Sequence, residues 1–234
     1  MRRAMTDLVK TLRSLGKESA AKIYRRHGAT GEVFGVSSPD LARLQKKHRG
    51  DHALAQELWA SGAHDARVLA TQIADPARAT RQEIDGWLSD LRGYLLTDAI
   101  ADFVSKTPHA EACMKEWMKS KEEWTASAGW RLLTAAARRE EEIPAAFFEP
   151  YLKVIEERLQ GSQNRVRHAM NTALIAIGCR GGALEAKALK VAKAIGKVEV
   201  DHGETACETP DAAAYIAKVK ARKSGKNKKT RARA

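Results

Sequence analysis

Cysteine is scarce in this sequence: there are three in 234 residues, Cys113, Cys179 and Cys207, far apart and odd in number. That excludes a disulfide-stapled scaffold and fits a reducing compartment. Six prolines and 16 glycines are too few for a collagen-like or low-complexity chain. No apolar run approaches the roughly 20 residues that a bilayer-spanning helix needs. The opening Met1-Arg2-Arg3-Ala4-Met5-Thr6-Asp7 lacks the apolar stretch of a secretory signal. These absences lead us to expect a cytoplasmic protein that makes no membrane contact.

Positive charge is abundant and unevenly placed. The chain has 41 Lys and Arg against 29 Asp and Glu, a formal charge of +12. Nine of those bases fall in residues 218–234, which contain no acid, leaving 32 against 29 in residues 1–217. The division predicts one folded domain over 1–217 and a basic tail over 218–234. With almost no bulky apolar side chains, the tail cannot offset its ordering entropy and is expected to be disordered in isolation. Lys218, Lys220, Arg222 and Lys223 open it. Their charge suits either a solubilising terminus or contact with nucleic-acid phosphates, bound through the backbone and not tied to sequence; phosphate contact would leave the protein nucleoid-associated when bound.

The rest reads as helix after helix. Leu8, Leu12, Leu15, Ala20 and Ile23 recur at near-helical spacing over residues 6–26, and a turn follows at Gly28 to Gly31. Ser38-Pro39-Asp40 is a helix start, with Ser38 as the expected cap and Pro39 at the first helical position. Further helices are predicted at 52–61, 64–74, 80–90, 94–106, 110–120, 123–139, 147–160, 163–178, 183–196 and 211–222, joined by short Gly- or Pro-marked connectors. No alternating strand pairs are present, so the class is all-α. Residues 163–178 have the pattern of an inner HEAT-repeat helix, with Val166, Ala169, Ala173, Leu174 and Ile177 on the packed side. Residues 64–70 and 124–137 look like weaker copies, which favours an α-solenoid of stacked antiparallel helix pairs.

An ordered set of short strings carries a family resemblance. They are Phe34-Gly35-Val36, Pro39-Asp40-Leu41, Leu58-Trp59, His64-Asp65-Ala66-Arg67 with Ala70, an aromatic four residues before Asp98, then Trp117 and Trp124. Over roughly residues 5–180 the chain resembles the HEAT-like DNA alkylation repair family of DNA glycosylases. The resemblance implies an armadillo-type stack of repeats with a concave basic face for duplex DNA. For some members it also implies excision of N3- or N7-alkylated purines without metal or cofactor.

Such excision leaves an oxocarbenium-like sugar, which a carboxylate among electron-rich rings can stabilise. One carboxylate about 4 Å from a unit cation gains about 4 kcal/mol at an effective dielectric near 20. The resemblance places Asp98 on the catalytic aspartate. Tyr94, one helical turn earlier, stands where excising members have tryptophan. Two other positions depart from the family: Thr172 aligns with a second sugar-flanking tryptophan, and Ser127 with an arginine that faces the DNA. Arg131 is one turn after Ser127 and is a candidate replacement. Arg165, Arg167 and His168 open the best repeat helix and are candidates for phosphate contact. Trp124 is a candidate for stacking, whereas Trp87, Trp117 and Trp130 suit a core as well as a base.

Lys46, Lys47, His48 and Arg49 form a further basic cluster, read as an exposed helix end. Asp201, His202, Glu204 and Cys207 are of metal-ligand type but follow no recognised spacing, so no metal site is predicted. The sequence therefore predicts a monomeric duplex-DNA-binding protein, either a metal-free alkylpurine DNA glycosylase or a non-enzymatic binder of DNA structure or of protein.

Overall fold

A computed structural model describes the backbone of residues 2–139 and 143–231 and the side chains of 5–139 and 143–222. Among these residues there are thirteen α-helices, one 3-10 turn and no strand. The helices are α1 (Arg2–Leu15), α2 (Glu18–Arg26), α3 (Ser38–His48), α4 (His52–Ala60), α5 (His64–Ile73), α6 (Arg81–Ser89) and α7 (Tyr94–Val104). They continue with α8 (Ala110–Trp117), α9 (Glu123–Arg138), α10 (Glu149–Arg158), α11 (Asn164–Gly178), α12 (Gly182–Ile195) and α13 (Ala212–Arg231). The 3-10 turn, Ala145–Phe147, precedes α10.

The helices fall into two compact units, Met1–Leu132 with His202–Ala206, and Leu133–Asp201 with Cys207–Ala234. In the first unit α5 is central, packing on α3, α4 and α7, while α1 covers α4 and α5. Its interior is aliphatic, built on Leu12, Leu58, Leu69, Ile73, Ile84, Leu96 and Ile100, all buried. Trp59 and Trp87 stack in it with ring centroids 4.5 Å apart, and Phe103 tilts against Trp87 at 5.3 Å.

Two details differ from the sequence reading. The expected helix over 6–26 is two helices, parted at Gly16 and Lys17, because the chain returns there: Lys17 N donates to Gly35 O at 3.1 Å. The cap of α3 is Ser37 and not Ser38; the Ser37 hydroxyl accepts from Asp40 N, and Pro39 follows inside the first turn.

The segment before α3 is held by one buried acid. Asp65 is 1% exposed, and its carboxylate accepts from the backbone N–H groups of Phe34 at 2.7 Å, Gly35 at 3.3 Å and Val36 at 2.7 Å. Gly35 has φ +79°, and a Cβ there would stand 2.3 Å from Lys17 O and 2.4 Å from Ala21 N. Only glycine permits that conformation and that approach. Arg67 serves the next layer, donating to Asp90 at 2.8 Å while its guanidinium lies 5.3 Å from the Trp59 ring centre. The strings around Phe34 and His64 are thus interlocking parts of one packing device.

In the second unit α12 packs on α10, α11 and α13, and α11 packs on α13. Val166, Ala169, Ala173, Leu174 and Ile177 are all buried, as the HEAT-like pattern requires. Ile216 of α13 fills the notch at Gly178, where a Cβ would stand 2.4 Å from its Cδ1. The last helix, α13, runs from Ala212 to Arg231.

Candidate functional site

The first turn of α7 is pressed against the end of α2. Tyr94 N donates to His27 O at 2.9 Å, and a Cβ on Gly93 would stand 2.7 Å from Ala29 N. On the same turn Gly28 carries the indole of Trp124, whose Cζ2 would be 2.8 Å from any Cβ placed there. This close fit fixes where α7 starts, and hence where its side chains one turn apart, Tyr94 and Asp98, are held.

Arg131 of α9 joins them. Its guanidinium forms an ion pair with the Asp98 carboxylate and lies over the Tyr94 ring, 4.6 Å from the ring centre. The Arg131 side chain is 13% exposed and that of Asp98 34%. The His27 ring lies 6.0 Å from that of Tyr94, tilted by 42°. The cluster is therefore a carboxylate, a guanidinium and three rings gathered within the first unit. The carboxylate's charge is largely offset by a cation in contact, so the cluster presents little net negative charge to a ligand.

Tyr94, Asp98, Trp124 and Arg131 are all candidates on sequence grounds, and the structure places all four around one turn. Ser127, where the family resemblance puts the missing arginine, is 1% exposed, so it faces the interior, and the arginine that reaches the Asp98 carboxylate is Arg131. Sequence reasoning missed His27. It follows α2 in a segment read only as a turn, and its proximity to Tyr94 depends on a contact across the chain that no local pattern announces.

The other candidates are placed differently. Arg165, Arg167, His168 and Thr172 belong to α11 in the second unit. The Arg167 guanidinium donates to Glu199 O at 2.8 Å and Ser162 O at 3.0 Å. Asn164 makes two bonds to the backbone of Asp201, at 2.7 and 2.8 Å, and Asn171 donates to Pro210 O at 2.9 Å. Together they fasten the stretch between α12 and α13. Thr172 donates to His168 O at 2.9 Å, so its hydroxyl is turned onto its own helix. Lys218, Lys220 and Arg222 lie on α13, with Lys220 paired to Glu185 at 2.6 Å. The Lys223 side chain lies outside the described residues. Trp87, Trp117 and Trp130 are buried core residues.

Cys113 is buried, and burial pushes its thiol up to about 11, so it holds its proton and is a poor nucleophile. Among the described residues no group of three His, Cys, Asp or Glu comes together to hold a metal ion, and no helix is long and apolar enough to cross a membrane.

Comparison with known proteins gives a consistent picture. The sequence matches the family model described as DNA alkylation repair enzyme over residues 8–216. It is 32% identical over 217 residues to an uncharacterized protein of Listeria innocua, covering 90% of this chain and 95% of that one. An uncharacterized protein of Listeria monocytogenes matches with the same identity and coverage. A solved structure described as representing a new family of proteins related to the HEAT-like repeat DNA glycosylases, with affinity for branched DNA structures, has a TM-score of 0.85. It is 29% identical and covers 93% of this chain and 94% of its own. The fold is accordingly a HEAT-like helical repeat, and the chain belongs to the DNA alkylation repair enzyme family.

Proposed function

We propose that this protein binds DNA by its structure, preferring branched over linear duplex, and does not release bases. The observation that carries the reading is the Arg131 guanidinium on the Asp98 carboxylate. A free carboxylate about 4 Å from an oxocarbenium sugar is worth about 4 kcal/mol at an effective dielectric near 20, and a guanidinium in contact with it cancels most of that field. Thr172, with its hydroxyl bonded to His168 O, offers no ring to a sugar. The affinity of the solved relative for branched DNA supports the same reading. In it, Arg131 and the α13 bases Lys218, Lys220 and Arg222 serve as phosphate contacts. Binding of a four-way junction and of linear duplex by the full-length chain tests the reading: tighter binding of the junction is expected, and equal binding contradicts it.

A second reading, excision of N3- or N7-alkylated purines, is favoured by Tyr94 and Asp98 standing one turn apart at a partly open surface. It requires Arg131 to leave Asp98 when DNA arrives. Release of N7-methylguanine from duplex, abolished by Asp98→Asn, distinguishes it.

A further inference from the structure

Helix α13 turns one ring outward that the fold does not use. Tyr215 is 45% exposed, whereas every other Trp, Tyr and Phe of the chain is buried or partly buried. The remaining tyrosines each have a structural contact: the Tyr24 hydroxyl donates to Val36 O at 2.8 Å, the Tyr94 ring carries the Arg131 guanidinium, and the Tyr151 ring packs on Phe147 with centroids 5.6 Å apart. Among the described residues the Tyr215 side chain has no hydrogen-bond, ion-pair or ring partner. A ring kept in water forgoes the burial that the other aromatics gain.

Its outward direction is fixed from the buried side of the helix. Asp211 caps α13, its carboxylate accepting from Ala214 N at 2.7 Å. Ala212 and Ile216 are buried, and Ile216 fills the notch at Gly178. Tyr215 therefore cannot turn inward without unseating Ile216.

Charge of one sign accompanies the ring. Residues 212–222 contain Lys218, Lys220 and Arg222 and no acid. Lys220 is paired with Glu185 at 2.6 Å. Lys218 and Arg222 are exposed and, among the described residues, in no ion pair. They follow Tyr215 by three and seven positions, on its side of the helix, about 4.5 Å and about 10.5 Å along the axis. Exposed bases alone are common on this chain, and what distinguishes this stripe is the ring among them. Cations that meet phosphates, with a ring that offers its face to a base, hold a nucleotide by both its parts. In a continuous duplex each base pair is covered on both faces by its neighbours, so the ring has nothing to stack on. A branch point interrupts that stack and leaves base faces open.

We infer that Tyr215, Lys218 and Arg222 form a base-stacking site on α13, which takes an unpaired base at the branch point of branched DNA while the two cations hold its flanking phosphates. This rests on the branched-DNA reading above and adds a contact that linear duplex does not offer.

The test uses the full-length chain and three variants: Tyr215→Ala, Tyr215→Phe, and Lys218→Ala combined with Arg222→Ala. The DNAs are a three-way junction with one unpaired 2-aminopurine at the branch point and a linear duplex one arm long. Binding is followed by fluorescence anisotropy over a salt series, and stacking by quenching of the 2-aminopurine. Tyr215→Ala is expected to bind the junction about tenfold more weakly, as for the loss of one stacked base, and to lose the quenching. Its log–log salt slope is expected to stay at the wild-type value, because the ring neutralises no phosphate. Tyr215→Phe keeps both the affinity and the quenching, and Tyr215→Ala binds linear duplex as wild type does. The double variant lowers the slope on both DNAs, by about 0.7 to 0.9 for each phosphate it no longer neutralises. Absence of quenching by wild type overturns the inference, and so does a Tyr215→Ala variant that binds the junction as tightly as wild type or weakens equally on both DNAs. Wild-type protein that binds both DNAs equally overturns the branched-DNA reading itself, and the stacking site with it.

Discussion

Arg131 reaches back from α9 to pair with Asp98 of α7 while its guanidinium lies 4.6 Å from the centre of the Tyr94 ring. The pair joins the residue expected to be catalytic to the residue expected to touch phosphate. One carboxylate therefore anchors an arginine, which in turn covers the aromatic face beside it. The consequences can be measured.

The coupling between the two is the first. Because both side chains are partly shielded, a double-mutant cycle of Asp98→Asn and Arg131→Met should give an interaction of about 1 kcal/mol in urea unfolding. A coupling near zero would mean that the ion pair does not persist in solution.

Asp65 should matter far more to stability. Its buried carboxylate satisfies three backbone donors at Phe34, Gly35 and Val36, so Asp65→Ala leaves them without a partner. A destabilisation of about 3 to 5 kcal/mol is expected, and a smaller one for Asp65→Asn, which keeps one acceptor oxygen. Unfolding within about 1 kcal/mol of wild type would show that the clamp is dispensable.

Gly35→Ala tests the same device from the backbone side. The residue has φ +79°, and its Cβ would meet backbone atoms of Lys17 and Ala21 that cannot swing away. A cost of about 3 kcal/mol or more is expected in chemical unfolding, whereas Gly50→Ala, with φ +84° but open space, should cost clearly less.

Acidification should destabilise the first unit through His64. Burial holds its pKa below the usual 6.5; Asp65 opposes that shift and Arg67 adds to it. The unfolded chain therefore takes up a proton more readily than the folded one as pH drops below about 6.5. Stability should be fully present above that pH and decline below it. In His64→Gln the decline between about pH 7.5 and about pH 5.5 should be shallower; an unchanged slope would assign the effect to other groups.

The fold is legible in the sequence because its signals are local. Apolar spacing along α5, α7 and α11, with glycine and proline between helices, marks most helix boundaries to within a residue or two. The break at Gly16 is not legible, since it arises from the return of Gly35 onto Lys17, an approach between separate segments. Within the site, the spacing of Tyr94 and Asp98 follows from helical geometry alone. Ser127 and Arg131 lie one turn apart on α9, and that Arg131 and not residue 127 reaches Asp98 depends on where along α9 the contact with α7 falls, which the sequence does not reveal. The sequence also does not reveal that the Glu199 and Ser162 carbonyls accept from Arg167, since both contacts join separate segments.

The most direct test of the central claim is single-turnover release of N7-methylguanine from duplex DNA, with protein in excess, for wild type and Asp98→Asn. With Arg131 offsetting the Asp98 charge, both proteins should stay at the rate of the uncatalysed reaction while still binding a four-way junction. Release by wild type that disappears in Asp98→Asn would contradict the account and make Asp98 a catalytic residue.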